Sequence, residues 1–376
     1  MSQIVPAVIP QPRKPVELRE VPEPQLENDS ALLAVTYSEV CGTDVHLWEG
    51  RLEGVPYPLI PGHVNVGTLA KIRGKITDVQ GRELREGQSV TFLDVHATCG
   101  KCWYCLVAKA STRCPHRKVY GITYGLQDGL CGGWATHVYL KPDTKVLPLA
   151  SVDESQTTSA VDSKLFMAAG CSMPTAIHAV ERAQIQMGDI VLVLGSGPVG
   201  LSCVALAKRA GAGRVLCLGA PQLRLDAALK MGADAVLDIT AHEPPQRAEW
   251  INRHSQGRGP DITIEATGRP EAVVQAMRWT RDAGRVAVVG QYTDLGQVSF
   301  NPHLDLNRKH LTILGVWGSD FSHVHRGLEV LRQTGPNGPW GQIPCDMFDL
   351  PNAQQALEQV AAGRVVKALL SPKAIT

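Results

Sequence analysis

Between Val191 and Val316 short apolar runs alternate with helical stretches, and this alternation restricts the possible folds more than any other feature. The strand-like runs are VLVLG, RVLCLG, AVLDI, DITIEATG, RVAVVG and LTILGV, with helical patterns such as PVGLSCVALAKRAGA, QLRLDAALKMGA and PEAVVQAMRWTRDA between them. Runs of four to six apolar residues joined through helices indicate parallel strands buried on both faces. About six strands fit in this stretch. The first 170 or so residues differ: alternating runs such as ALLAVTYSEV and WATHVYL, broken by glycine and proline, indicate a mostly β, loop-rich domain. A chain of 376 residues can bury two such cores. The roughly 60 residues after Val316 are too few for a third domain and are expected to return to the first.

The alternating region opens on a phosphate-binding pattern. Gly195-Ser196-Gly197-Pro198-Val199-Gly200 follows the first apolar run and starts a helix. In a G-x-G-x-x-G turn the glycines serve a tight turn, close approach to pyrophosphate, and helix–strand packing. The helix N-terminus then offers free N–H groups and a favourable dipole to the anion. An NAD site usually carries Asp or Glu at the end of the second strand, but RVLCLG ends in Gly219. Without that carboxylate a 2′-phosphate is not repelled, and Arg224 is the nearest cation, either a phosphate contact or a solvated helix residue. NAD and NADP both stay open.

The ten cysteines point to metal. Cys99, Cys102, Cys105 and Cys114 can place four thiolates around one zinc; with no position left for substrate, that zinc is structural. The lobe spans about residues 95–118 and has no paired histidines and no basic stripe, so a nucleic-acid finger is not expected. Charge is balanced, 37 Lys+Arg against 36 Asp+Glu, which gives no field toward nucleic acid or membrane. No stretch approaches the roughly 20 apolar residues that cross a bilayer. The opening MSQIVPAVIPQPRKP has prolines where a signal peptide has its apolar segment, so a cytoplasmic protein is expected.

Other possible ligands are scattered. Cys41 and His46 lie in CGTDVH, His63 follows Pro61-Gly62, and Cys171 lies in AAGCSMPTAIHAV. Two thiolates and one imidazole would leave a fourth tetrahedral position open, the pattern of a catalytic zinc. On its own, a buried Cys171 is more often packing than ligand.

Taken together, CGTDVH, PLIPGH, the four-cysteine lobe, the Gly-rich turn, DITIEATG, GRVAVVG and GRVVKALL resemble the zinc-containing medium-chain dehydrogenase/reductase family over nearly the whole chain. The resemblance implies an α/β protein with a GroES-like, mostly β catalytic domain at 1–172 and 317–376 and a Rossmann domain at 173–316, a doubly wound parallel sheet. It implies hydride transfer between an alcohol, or the corresponding aldehyde or ketone, and NAD(P), in the cleft between the domains. Cys41, His63 and Cys171 match the catalytic-zinc ligands, which makes two zincs per chain. Thr43 matches the residue that hydrogen-bonds the substrate oxygen, His46 a proton relay, and Asp44 a partner for the other ring nitrogen of His63. Thr175 and Lys367 are assigned to the cofactor, Lys367 near the pyrophosphate or else as a solvated lysine. Trp48 is placed beside the substrate or in the core, with His96 and Tyr57 as unranked neighbours of the cleft.

Relatives form dimers or tetramers through the last strand of the Rossmann sheet, here Leu311–Trp317, so a homo-oligomer acting on a small molecule is expected. The family often has Glu after the ligand histidine, where this chain has Val64; that Glu is thought to assist exchange of zinc ligands. Two alternatives are a zinc-free quinone or enoyl reductase, against which the cysteines count, and a non-catalytic cofactor-binding protein that keeps the fold.

Overall fold

A computed structural model of the chain describes residues 3–150 and 160–372. They form two compact units: Met1–Gly170 with Asp320–Pro336 and Pro344–Thr376, and Cys171–Ser319 with Asn337–Ile343.

The first unit is built on the strand Ser30–Val40, most of whose side chains are buried. It pairs antiparallel with Asn65–Arg73, with His137–Leu140 and with Lys367–Leu370. The sheet continues through Ser89–Phe92 to Val146–Pro148 on one side and to Cys345–Phe348 on the other. One core gathers Leu33, Val35, Leu69, Val90, Phe92, Tyr120 and Val138. A second core sets Trp134, Leu130, Ile60 and Ala368 against Ala353 and Leu357 of the helix Ala353–Ala361. After Val316 the helix Phe321–Thr334 and the two strands Cys345–Phe348 and Lys367–Leu370 group with the first unit. A short stretch departs from it: Asn337–Ile343 belongs to the second unit, where Trp340 Nε1 donates to Ser202 Oγ at 3.2 Å.

In the second unit the six apolar runs become six strands, all parallel. From one edge to the other the order is Ala235–Asp238, Arg214–Gly219, Ile190–Leu194, Ile262–Glu265, Arg285–Val288 and Thr312–Gly315. The chain begins in the middle at Ile190–Leu194, builds outward one way, then returns and builds the other way. The reversal leaves a crevice at the carboxyl ends of Ile190–Leu194 and Ile262–Glu265, the place where such sheets bind ligands. All five side chains of Ile190–Leu194 are buried, as a strand covered on both faces requires. The helix Pro244–His254 was not anticipated; a polar run with one buried residue, Ile251, carries little apolar periodicity.

Candidate metal and cofactor sites

The helix Gly42–Glu49 organises the first site. Cys41 is its N-cap: Thr43 N–H donates to the Cys41 sulfur at 3.3 Å, and the Asp44 carboxylate accepts from the Cys41 N–H at 2.8 Å. Asp44 also accepts from Gly62 N–H at 3.3 Å, which ties this helix to the segment carrying His63. Thr43 and His46 are three residues apart and share a face of the helix.

Cys171 is the residue at which the chain passes from the first unit to the second, one peptide bond beyond Gly170. The helix Ser163–Ala169 ends just before it. The ligand atoms of Cys41, His63 and Cys171 all lie within 4.8 Å of one another. His63 Nε2 is 3.9 Å from the Cys41 sulfur, and its Nδ1 is buried without a hydrogen-bond partner among the described residues. Two sulfurs and an imidazole so gathered suit a borderline-soft cation.

Burial alone would lower the His63 pKa, but the Cys41 thiolate, its hydrogen bond, and the charges of Asp44 and Asp94 raise it to about 10. The site therefore favours positive charge. Burial and the Cys41 charge raise Asp44 well above the usual carboxylate range, against the lowering effects of His63 and the two N–H donors. His46 is pushed below its ordinary value, chiefly by burial and then by Arg51.

The four-cysteine lobe is closed at its base by Val95–Ala97 pairing with Lys118–Val119. A helical turn, Trp103–Leu106, starts at Cys102 and presents Cys102 and Cys105 together, their sulfurs 3.5 Å apart. Cys99 N–H donates to the Cys114 sulfur at 3.3 Å, and all four sulfurs lie within 4.8 Å of one another. The Cys99 thiol falls to about 6, mainly through a hydrogen bond from the Lys101 backbone, which favours the thiolate a metal needs.

In the second unit the three glycines of the turn separate by role. Gly195 has φ +108, and a Cβ there would stand 2.6 Å from Ala266 O. A Cβ on Gly200 would stand 1.9 Å from Gly195 O. Both are demanded by the chain's own packing. Gly197 is different: a Cβ would meet nothing within 4 Å, and its φ of −71° suits any residue. The space its missing side chain leaves lies open over the N-terminus of the helix Pro198–Arg209. Free N–H groups and the dipole at such an N-terminus favour an anion.

The missing carboxylate at Gly219 also has a physical reason, since a Cβ there would strike Ser196 Oγ at 2.2 Å. Ser196 Oγ donates to Ala220 O at 3.2 Å. Arg224 is half-buried on the helix Gln222–Lys230, and burial lowers its pKa.

Several expected contacts take another form. The Asp44 carboxylate holds the backbone at Cys41 and Gly62, and no hydrogen bond joins it to the other nitrogen of His63 among the described residues. Lys367 is not a solvated lysine: it is 2% exposed, and its ammonium pairs with Glu39. Trp48 packs, partly buried, against the apolar clusters of the first unit, with Nε1 donating to Lys14 O at 2.8 Å. Thr175 Oγ1 donates to Cys171 O at 3.0 Å, so its hydroxyl is turned to its own helix. His96 bridges Tyr124 Oη and Pro142 O, and Tyr57 Oη donates to Leu47 O.

Two buried acids went unremarked in the sequence. Glu265 ends the strand at the crevice and accepts from Thr267 N–H, Thr267 Oγ1, Gly268 N–H and Gly290 N–H at 2.6–3.2 Å. Its signal is a carboxylate closing an otherwise apolar buried strand. Glu39 is a buried carboxylate next to the last residue of the strand Ser30–Val40, two residues before Cys41.

Comparison with known proteins shows the family. The alcohol dehydrogenase GroES-like domain matches residues 27–151, and the zinc-binding dehydrogenase domain matches residues 198–333. The chain is 26% identical to 5-exo-hydroxycamphor dehydrogenase of Pseudomonas putida, over 94% of this chain and 95% of that protein. An alcohol dehydrogenase from Thermotoga maritima superposes with a TM-score of 0.90 at 30% identity, covering 99% of this chain and 100% of that one. A zinc-binding dehydrogenase from Sinorhizobium meliloti, solved with NADP, gives a TM-score of 0.82 at 25% identity, covering 99% and 100%.

Proposed function

The chain belongs to the zinc-containing medium-chain dehydrogenase family, and on that premise we propose that Cys41, His63 and Cys171 hold a catalytic zinc and that Cys99, Cys102, Cys105 and Cys114 hold a structural one. The protein is an NAD(P)-dependent oxidoreductase that interconverts an alcohol and its carbonyl compound. The observation that carries the zinc reading is the convergence of two thiols and one imidazole from three distant segments to within 4.8 Å.

A zinc bound there supplies a Lewis acid that lowers the pKa of an alcohol oxygen. The nicotinamide ring supplies the hydride acceptor. The chain's own residues do the rest. Thr43, directly inside the helix that Cys41 caps, accepts the hydroxyl proton on Oγ1 while releasing its own hydroxyl proton toward solvent, so that it stays neutral. His46, on the same helix face, has a pKa below its ordinary value, so its imidazole is neutral near pH 7 and accepts a proton bound for solvent. Asp44 keeps this helix and the His63 segment in register through its two backbone hydrogen bonds. Gly197 leaves room for the dinucleotide pyrophosphate, and the carboxylate-free end at Gly219 admits NADP as well as NAD.

The proposed assembly is a cytoplasmic homo-oligomer joined along Thr312–Gly315, an edge strand whose Ile313 is exposed, near exposed Phe300 and Leu304. No helix among the described residues is long and apolar enough to cross a membrane.

Metal analysis with a substrate screen tests the reading. Two zincs per chain and reduction of NAD or NADP by a panel of alcohols are expected. A single zinc per chain, retained in a Cys41→Ala variant, would sink the catalytic assignment.

A further inference from the structure

We propose that the buried Glu39–Lys367 ion pair positions the three segments that carry Cys41, His63 and Cys171, and so governs how tightly that site retains its ion. The proposal rests on the reading of those three residues as zinc ligands.

The two side chains are each 1% exposed, and they come from positions 328 residues apart. Taking two charges out of water is expensive, and an apolar pair of similar volume is often as good for stability. A role in holding geometry accounts for the pair better than stability does. Glu39 lies two residues before Cys41, near the end of the strand Ser30–Val40. Its N–H donates to the carbonyl of Val64, the residue after His63, at 3.0 Å. Its own carbonyl accepts from Trp134 Nε1 at 3.3 Å, so the backbone at Glu39 is held from both sides.

Lys367 opens the neighbouring strand, in register so that Leu369 faces Glu39 and Ala368 faces Val40. Its Nζ also reaches Ala169 O at 3.5 Å, two residues before Cys171. Between them Gly170 adopts φ +48, and a Cβ there would stand 2.1 Å from Glu39 Oε2 and 2.5 Å from Lys367 Nζ. The ion pair therefore lies against the backbone that leads directly into Cys171. The pair's side chains thus join the strand before Cys41 to the segment before Cys171, and the Glu39 backbone that they anchor bonds the residue after His63. Scattered ligands need such a common anchor, because nothing local sets their spacing.

The test follows zinc release from the holoenzyme to an excess of the chromogenic chelator 4-(2-pyridylazo)resorcinol, well below the unfolding temperature. Removing one charge alone would strand the other, so the informative variant is the double neutral one, Glu39→Gln with Lys367→Met. One zinc is expected to leave it at least about 10-fold faster than from the wild type. The zinc of the four-cysteine lobe should leave at the wild-type rate, with Cys41→Ala identifying which is which. Lys367→Arg, which keeps the charge, should stay near the wild-type rate. Equal release from the double variant and the wild type would overturn the proposal. So would equal acceleration of both zincs, or loss of the far-ultraviolet circular dichroism, since either assigns the pair to the fold as a whole. If the wild type itself holds only the lobe zinc, the three-ligand reading fails and this inference falls with it.

Discussion

The Asp44 carboxylate accepts the backbone N–H of Cys41 at 2.8 Å, so the acid inside the helix fixes the residue that caps it. The other oxygen takes the Gly62 N–H, and the side chain is fully buried. Asp44→Ala would leave two buried donors unpaired, each costing about 1–3 kcal/mol. The expected outcome is a clear loss of thermal stability together with loss of catalytic zinc. Asp44→Asn keeps an acceptor oxygen and should lie between wild type and Asp44→Ala. Thermal melts with zinc determination would check this, and an unchanged melting temperature in Asp44→Ala would contradict it.

The two metal clusters should separate by mutation. Cys41→Ala and Cys171→Ala are expected to hold one zinc per chain, keep the fold and lose turnover by several orders of magnitude. Cys102→Ala should lose the other zinc and destabilise the lobe, because its four thiols have no large apolar core to replace the metal. Atomic emission on the purified variants counts the ions directly.

Gly197 and Gly200 make a matched pair of probes. Gly200→Ala places a Cβ 1.9 Å from Gly195 O, and a cost of about 1–3 kcal/mol is expected from the forced shift. Gly197→Ala meets no protein atom within 4 Å, so stability should change by no more than about 0.5 kcal/mol. It should still weaken cofactor binding measurably if the proposed pyrophosphate site is right, since the added Cβ enters that space. Cofactor titration by fluorescence and a denaturant melt on both variants read the two effects; tight cofactor binding by Gly197→Ala would refute the role given to that glycine.

Asp261 links acid stability to the parallel sheet. Its carboxylate accepts from Ile190 N–H at 2.7 Å and from Arg281 Nε at 2.6 Å. Burial opposes its ionisation, yet those hydrogen bonds and the charges of Arg281 and Arg258 hold its pKa below the usual value. A depressed carboxylate contributes stability that is fully present above its unfolded pKa of about 3.9 and lost as pH falls through the folded value. Asp261→Asn should therefore destabilise at pH 7 by about 1–2 kcal/mol and by much less at the acid end. Urea melts of both proteins at several pH values between neutrality and acid would show the gap closing; a gap of constant size would count against the assignment.

Much of the fold was legible because its signals are contiguous. Six apolar runs became six parallel strands, since a run too short for a helix and apolar throughout can be buried only between covering layers. The helix Pro244–His254 escaped notice because its single buried residue leaves no apolar stripe. The four-cysteine lobe and the Gly-rich turn were likewise readable, each being a spacing of residues within one loop.

The finer contacts were not readable. Sequence supplied the residue types Cys41, His63 and Cys171 but no distance between them, and only the strand register and the turn after Ser163–Ala169 bring their ligand atoms together. Tertiary structure alone sent Asp44 to two backbone donors, set Gly219 against Ser196, and buried Lys367 on Glu39. Local spacing encodes local geometry. A partner hundreds of residues away is chosen by which strands pair and which side chains fill the space between them, and no short pattern records that choice.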